Sequence, residues 1–186
     1  MSDHHPAQRG LTLPELVVSL AVVSTLTVGA GQQFTRLLQE NRMATEVNRF
    51  MGALQLARYS AVTQARRVVL CPSRDGVNCG RGADWVRGWL LFQSDDREHD
   101  PEEPLLQAGG ALTETIRMQS GNHRKRVVYQ QDGSSGGTNS SFTFCDRQEL
   151  AKPRVICLSN SGRPRLAHTR CDGKPVRCAA VTAQSH

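Results

Sequence analysis

Polar and apolar positions divide this chain into stretches of different period. Residues 1–10 are polar and close on Arg9-Gly10, and the run from Leu11 to Gly31 is almost wholly apolar. From Gln32 to Arg67 the pattern turns helical. Phe34, Leu37, Leu38, Ala44, Val47, Phe50, Met51, Leu54, Ala57 and Ala61 recur mostly at spacings of three and four, while Arg36, Glu40, Arg42, Glu46, Asn48, Arg49 and Gln55 take the other face. No proline interrupts this second stretch, and Gly52 is its one weak point. Together the two stretches predict one helix of about fifty residues, roughly 75–85 Å long. A pair of helices broken near Gly29-Ala30-Gly31 is the alternative.

Beyond Arg67 the period shortens to that of strands. Val68 to Cys71, Trp85 to Phe92, Ile116 to Met118, Val127 to Tyr129, Ser141 to Cys145, Arg154 to Leu158 and Arg163 to Ala167 are short β-rich runs. Turn residues separate them, notably Asp132-Gly133-Ser134-Ser135-Gly136-Gly137 and Asn160-Ser161-Gly162. One long helix followed by short strands predicts an α+β protein, the helix packed on an antiparallel sheet or a two-sheet sandwich.

The start of the chain carries specific chemistry. Leu16 to Gly31 spans sixteen uncharged residues, about 24 Å of helix. A bilayer core is roughly 30 Å thick, and Leu11 to Pro14 supply the remainder. Ser19, Ser24, Thr25 and Thr27 make the segment less apolar than a permanent anchor. Glu15 stands at its edge, where an ionised acid in hydrocarbon costs on the order of 2.5–3.5 kcal/mol. An ordinary secretory signal places its small-residue cleavage site after the apolar run; here Gly10 precedes it, so cleavage there retains the apolar segment. Gly10, a hydrophobic Leu11, and glutamate as the fifth residue after the cut resemble the processing site of type IV prepilins, in which phenylalanine is usual where Leu11 stands. The resemblance implies removal of residues 1–10 by a prepilin peptidase, N-methylation at Leu11, and a 11–31 segment that serves first as inner-membrane span and then as filament core. It also implies that Glu15 neutralises the free amino group of a neighbouring pilin during assembly. The 32–67 segment then continues the helix, and 68–186 forms the head.

Six cysteines, Cys71, Cys79, Cys145, Cys157, Cys171 and Cys178, all lie in the second part of the chain. An even number points to disulfides in an oxidising compartment. Neighbour pairing, 71 with 79, 145 with 157 and 171 with 178, would close three short loops. No C-x-x-C occurs and the histidines are scattered, so no metal or cofactor is expected.

The strand region resembles the GspH/FimT family of minor pilins and pseudopilins. Trp85, Gly88, Trp89 and Phe92 match its W..GW..F motif; Tyr129 and Gly133 approximate an aromatic-to-glycine element; Val155 to Arg163 match a closing strand, turn and glycine-arginine pair. The two tryptophans are expected to pack in the core or on a sheet face rather than to stack on bases.

Charge is unevenly spread. The chain carries a net charge of +6 and a pI near 9.3. Residues 95–103 hold six acids, Asp95, Asp96, Glu98, Asp100, Glu102 and Glu103, against Arg97. Residues 147–178 hold eight bases against Glu149 and Asp172, and Arg124-Lys125-Arg126 beside His123 forms a second basic knot. Such asymmetry suits a polyanion binder. Within the basic tail, Gly162-Arg163-Pro164-Arg165 offers two guanidinium forks suited to phosphate oxygens. It matches the GRxR motif of the FimT branch, and the resemblance implies that Gly162, Arg163 and Arg165 belong to a DNA-binding site used in natural transformation. Lys152, Arg154, Arg170, Lys174 and Arg177 are added as helpers from charge. The alternative is a structural minor pilin or type II secretion pseudopilin with no affinity for DNA. No nucleophile–base pair or phosphate loop suggests an enzyme.

Overall fold

A computed structural model describes residues 12–94, 101 and 105–178, with the side chains of residues 25–32 outside the description. The leader junction at Gly10 and Leu11 and the acidic residues between Asp95 and Glu103 lie outside the described residues. One helix, α1 (Leu13–Thr63), is followed by eight strands: β1 (Val68–Pro72), β2 (Trp89–Gln93), β3 (Leu105–Gly109), β4 (Ile116–Ser120), β5 (Val127–Tyr129), β6 (Ser140–Asp146), β7 (Arg154–Leu158) and β8 (Pro164–Ala167). The helix runs through Gly29-Ala30-Gly31 without a break. Among the described residues no helix is long and apolar enough to cross a membrane.

The chain divides into two units, Met1–Leu38 and Gln39–His186. In the first, residues 12–24 and 33–38 are exposed, Phe34 and Leu37 among them. The second unit holds two four-stranded antiparallel sheets, ordered β3-β2-β1-β5 and β4-β6-β7-β8.

Its core follows from alternation. Inward-facing Val68, Leu70, Leu91, Val127 and Tyr129 of one sheet join Ile116, Met118, Phe142, Phe144, Ile156 and Leu158 of the other, and both meet Met43, Val47, Phe50, Ala53, Leu54, Ala57 and Ala61 of α1. Phe50 is the hub. Its ring stands edge-on to Phe142 at 4.8 Å, Trp85 at 5.6 Å and Phe144 at 6.1 Å, geometries worth about 0.5–1.5 kcal/mol each beyond area burial. Both tryptophans are buried, and Trp85 Nε1 donates to the Arg124 carbonyl at 2.7 Å.

Three details depart from the sequence reading. Trp85–Arg87 forms a 3-10 turn, so β2 begins only at Trp89. Leu105–Gly109 adds β3, an edge strand of exposed and half-buried residues whose pattern carries no strand alternation. Glu46, assigned by its charge to the polar face, is buried: its Oε1 accepts from the Thr113 backbone N–H at 3.0 Å and hydroxyl at 2.8 Å, and Oε2 meets Arg49 at 2.7 Å. A buried carboxylate is tolerated where donors replace its water.

The disulfides require a larger correction. Cys71 pairs with Cys79 as expected, but Cys145 pairs with Cys178 and Cys157 with Cys171. The register explains why. Cys157 lies opposite Ser141, four residues along β6 from Cys145, about 13 Å at the rise of a strand. A disulfide spans less than about 7 Å between Cα atoms. Cys145 and Cys157 share the outward face of their sheet but stand too far apart to bridge, and the tail crosses both positions.

Candidate functional site

The β7–β8 hairpin, its turn and the tail form the candidate site. The turn closes where Gly162 N–H donates to the Ser159 carbonyl at 2.9 Å. It docks on the loop after β5: Ser135 N–H donates to the Asn160 carbonyl at 2.9 Å, and Ser135 Oγ to the Ser159 carbonyl at 3.0 Å. Gly162 is buried with φ of +74°, and a Cβ there would lie 1.9 Å from the Gly133 carbonyl oxygen and 3.1 Å from the Tyr129 ring. That carbonyl also accepts from Arg58 Nε at 3.2 Å. Glycine is required here by both backbone conformation and space. Tyr129 Oη is buried with no hydrogen-bond partner among the described residues, and burial pushes its phenol up from the ordinary value.

The loop that receives the turn is ordered by Asp132, whose Oδ1 accepts from Ser134 N–H at 2.8 Å. That bond, then one to the Ser134 side chain, holds the carboxyl below the usual carboxylate range. A depressed folded value means that the contact is complete above the unfolded pKa of about 4 and is lost only as pH falls further. The Ser134 amide resonance should therefore stay fixed from pH 7 to 4 and move below that; a midpoint at or above 4 contradicts the bond.

Pro164 opens β8, the edge strand of its sheet, where a missing N–H is tolerated. Arg165 lies opposite Cys157, and Ala167 opposite Val155. Directly opposed residues share a face, so Arg165 stands beside the Cys157–Cys171 bridge. The tail is drawn over this outward face. Val176 packs on Val155, Cys157 and Ala167, and a turn is closed by Arg170 N–H to the Lys174 carbonyl at 2.8 Å and Gly173 N–H to the Arg170 carbonyl at 2.9 Å.

Two adjoining clefts result. Arg163, Arg165 and Arg170 line one, with Ser141 and Cys171; Arg170, Lys174 and Arg177 line the next, again with Ser141 and Cys171. All five cations are exposed. Arg170 pairs with Asp172 at 3.2 Å, whereas Arg163, Arg165, Lys174 and Arg177 make no ion pair among the described residues. The two remaining sequence candidates are not brought here. Arg154 alternates with Val155 onto the inner side, where its Nη2 meets Glu40 Oε2 of α1 at 3.2 Å, and Lys152 N–H donates to Glu40 Oε1 at 3.0 Å. Counting charge along the chain missed this alternation. Among the described residues no cluster of histidine, cysteine and carboxylate is arranged to hold a metal ion.

Residues 46–162 match the family model described as type II transport protein GspH. The chain belongs to the GspH family. Its likeness to solved structures agrees: the type IV minor pilin FimU of Pseudomonas aeruginosa strain PAO1, in one crystal form, is 21% identical over 72% of this chain and 92% of that one, with a TM-score of 0.55. A second crystal form of FimU gives 19% identity, 67% and 91% coverage and a TM-score of 0.53. No curated protein matches the chain. This GspH-family member thus has the helix-first α+β fold seen in FimU. The family match ends at Gly162, so Arg163, Arg165 and the doubly bridged tail lie beyond it.

Proposed function

We propose that this protein is a minor type IV pilin that binds DNA through the outward face of the β4-β6-β7-β8 sheet, for DNA uptake in natural transformation. The observation that carries the reading is the clustering of Arg163, Arg165, Arg170, Lys174 and Arg177 on one face under two disulfides. Preorganised guanidinium forks match phosphate oxygens, and contacts to phosphates carry no base information, so binding is independent of sequence. The same reading takes Gly10–Leu11 as the site of prepilin peptidase, and the apolar helix as an inner-membrane anchor that enters the filament with Glu15 meeting the neighbouring pilin's amino group. The head then faces the periplasm and, after assembly, the cell surface.

A second reading is a structural pseudopilin with no DNA affinity. It draws on the family description itself and on a match that stops before Arg163. Fluorescence anisotropy of the full chain in nonionic detergent with a labelled duplex separates the two. Arg163→Ala with Arg165→Ala should weaken binding about tenfold or more, since a hydrogen bond to a charged group contributes about 1.5–3 kcal/mol. Equal affinity of the variant and the parent, or no binding by the parent at low salt, favours the structural reading.

A further inference from the structure

A third basic cleft, on a separate part of the head, adjoins the first of these two, that of Arg163, Arg165 and Arg170. Arg81, just beyond the Cys71–Cys79 bridge, faces His123, Arg124, Lys125 and Arg126 across it, with Asn122 at its edge. No carboxylate lines this cleft. Asn122 also lines the cleft of Arg163, Arg165 and Arg170. Arg124 joins the two as well, because its Nη2 donates at 3.1 Å to the carbonyl of Asn139, a wall of the first cleft.

The loop that carries these bases is held in place. Its Arg124 carbonyl accepts from Trp85 Nε1 at 2.7 Å and Ser120 Oγ at 3.1 Å, and Arg124 N–H donates to Gly121 O at 3.2 Å. Asn122 and His123 both sit at positive φ, +54° and +48°, a conformation that costs non-glycine residues on the order of 1–3 kcal/mol and persists only where its surroundings impose it. The buried end of Trp85 thus anchors a strained loop in which Lys125 is exposed and Arg124 and Arg126 are half-buried. Arg81 and Lys125 are exposed and make no ion pair among the described residues.

We infer that this third cleft extends the phosphate track, so that one duplex crosses from Arg163 and Arg165 over Asn122 to Lys125 and Arg81. The inference rests on the DNA-binding reading and deepens it by naming the duplex as ligand. Single-strand binders supply aromatic platforms on which bases stack, and none of the three basic clefts is lined by phenylalanine, tyrosine or tryptophan. Tyr59, an exposed aromatic, shares a different cleft with Arg163 and the carboxylate of Asp132.

The test is a salt titration of the full chain in nonionic detergent against a labelled random duplex and a single strand of equal length. For Arg81→Ser with Lys125→Ser, two lost phosphate contacts make the slope of log K against log salt shallower by roughly 1.8, and affinity falls about tenfold. Arg81→Lys with Lys125→Arg keeps the charge and restores both. The single strand binds more weakly, and Tyr59→Ala changes nothing. If the serine variant superimposes on the parent while Arg163→Ala with Arg165→Ala still weakens binding, the extended track is wrong and the first cleft stands alone. If the single strand binds tighter and Tyr59→Ala abolishes that preference, the duplex assignment is wrong. A parent that binds neither overturns the DNA-binding reading itself.

Discussion

Gly162→Ala should lower the melting temperature of the disulfide-intact protein by roughly 5–15 °C, corresponding to about 2–5 kcal/mol at 2–4 °C per kcal/mol for a chain of this size. Two costs combine. An L-residue at φ of +74° loses about 1–2 kcal/mol. The new methyl also meets the Gly133 carbonyl oxygen, 1.9 Å away, and must push the turn off its dock, an overpacking cost of about 1–3 kcal/mol. Gly137→Ala separates the two effects. Its φ is +78° with nothing within 4 Å of the new Cβ, so it should show the conformational cost alone and a drop about half as large or less. Calorimetry that gives equal shifts for both variants contradicts the docked turn. The glycine of the glycine-arginine pair is thereby a structural residue: it seats the turn that sets Arg163 and Arg165.

Removing the two tail disulfides together should weaken duplex binding about tenfold while leaving the salt slope nearly unchanged. With Cys145, Cys157, Cys171 and Cys178 all changed to serine, Arg170, Lys174 and Arg177 keep their charge but lose their places over β6 and β7. A released segment must be ordered on binding, and immobilising its side chains costs about 0.5–1.5 kcal/mol each. The number of neutralised phosphates, which sets the slope, stays the same. The head is expected to remain folded, because its main core on α1 draws on none of these four residues. Circular dichroism monitors this, and anisotropy at two salt concentrations reads the rest. Unchanged affinity means that the bridges do not preorganise the basic face; a collapse of the slope together with affinity means that the tail contacts DNA only when stapled.

Much of the fold was legible because its signals are local. The three-to-four spacing through Val47, Phe50, Leu54, Ala57 and Ala61 identified the buried stripe of α1, and all five are buried. Phe34, Leu37 and Leu38 belong to the same periodic pattern and are exposed in the described unit, since the pattern reports amphipathicity and not what covers it. Glu46 failed for the opposite reason: its partners at Thr113 lie 67 positions away in sequence. β3 was missed because an exposed edge strand has no reason to alternate.

The site was half legible. Arg163 and Arg165 stood out as a motif, and the elements around Tyr129, Gly133 and Gly162, recognised separately, meet in one contact. The disulfide partners were not legible, because they depend on the β6–β7 register and on the path of the tail. Arg154 was assigned to the wrong face for the same reason, its alternation in β7 turning it to Glu40. Arg81 was overlooked as a lone base in a turn-rich loop; only the fold sets it across from the 123–126 knot.

The central claim is that Arg163 and Arg165 neutralise DNA phosphates. The most direct measurement is the slope of log K against log salt for duplex binding by the full chain, compared with Arg163→Ala, Arg165→Ala. Loss of two contacts should make the slope shallower by roughly 1.8, with the thermal stability unchanged. Parallel slopes for parent and variant contradict it.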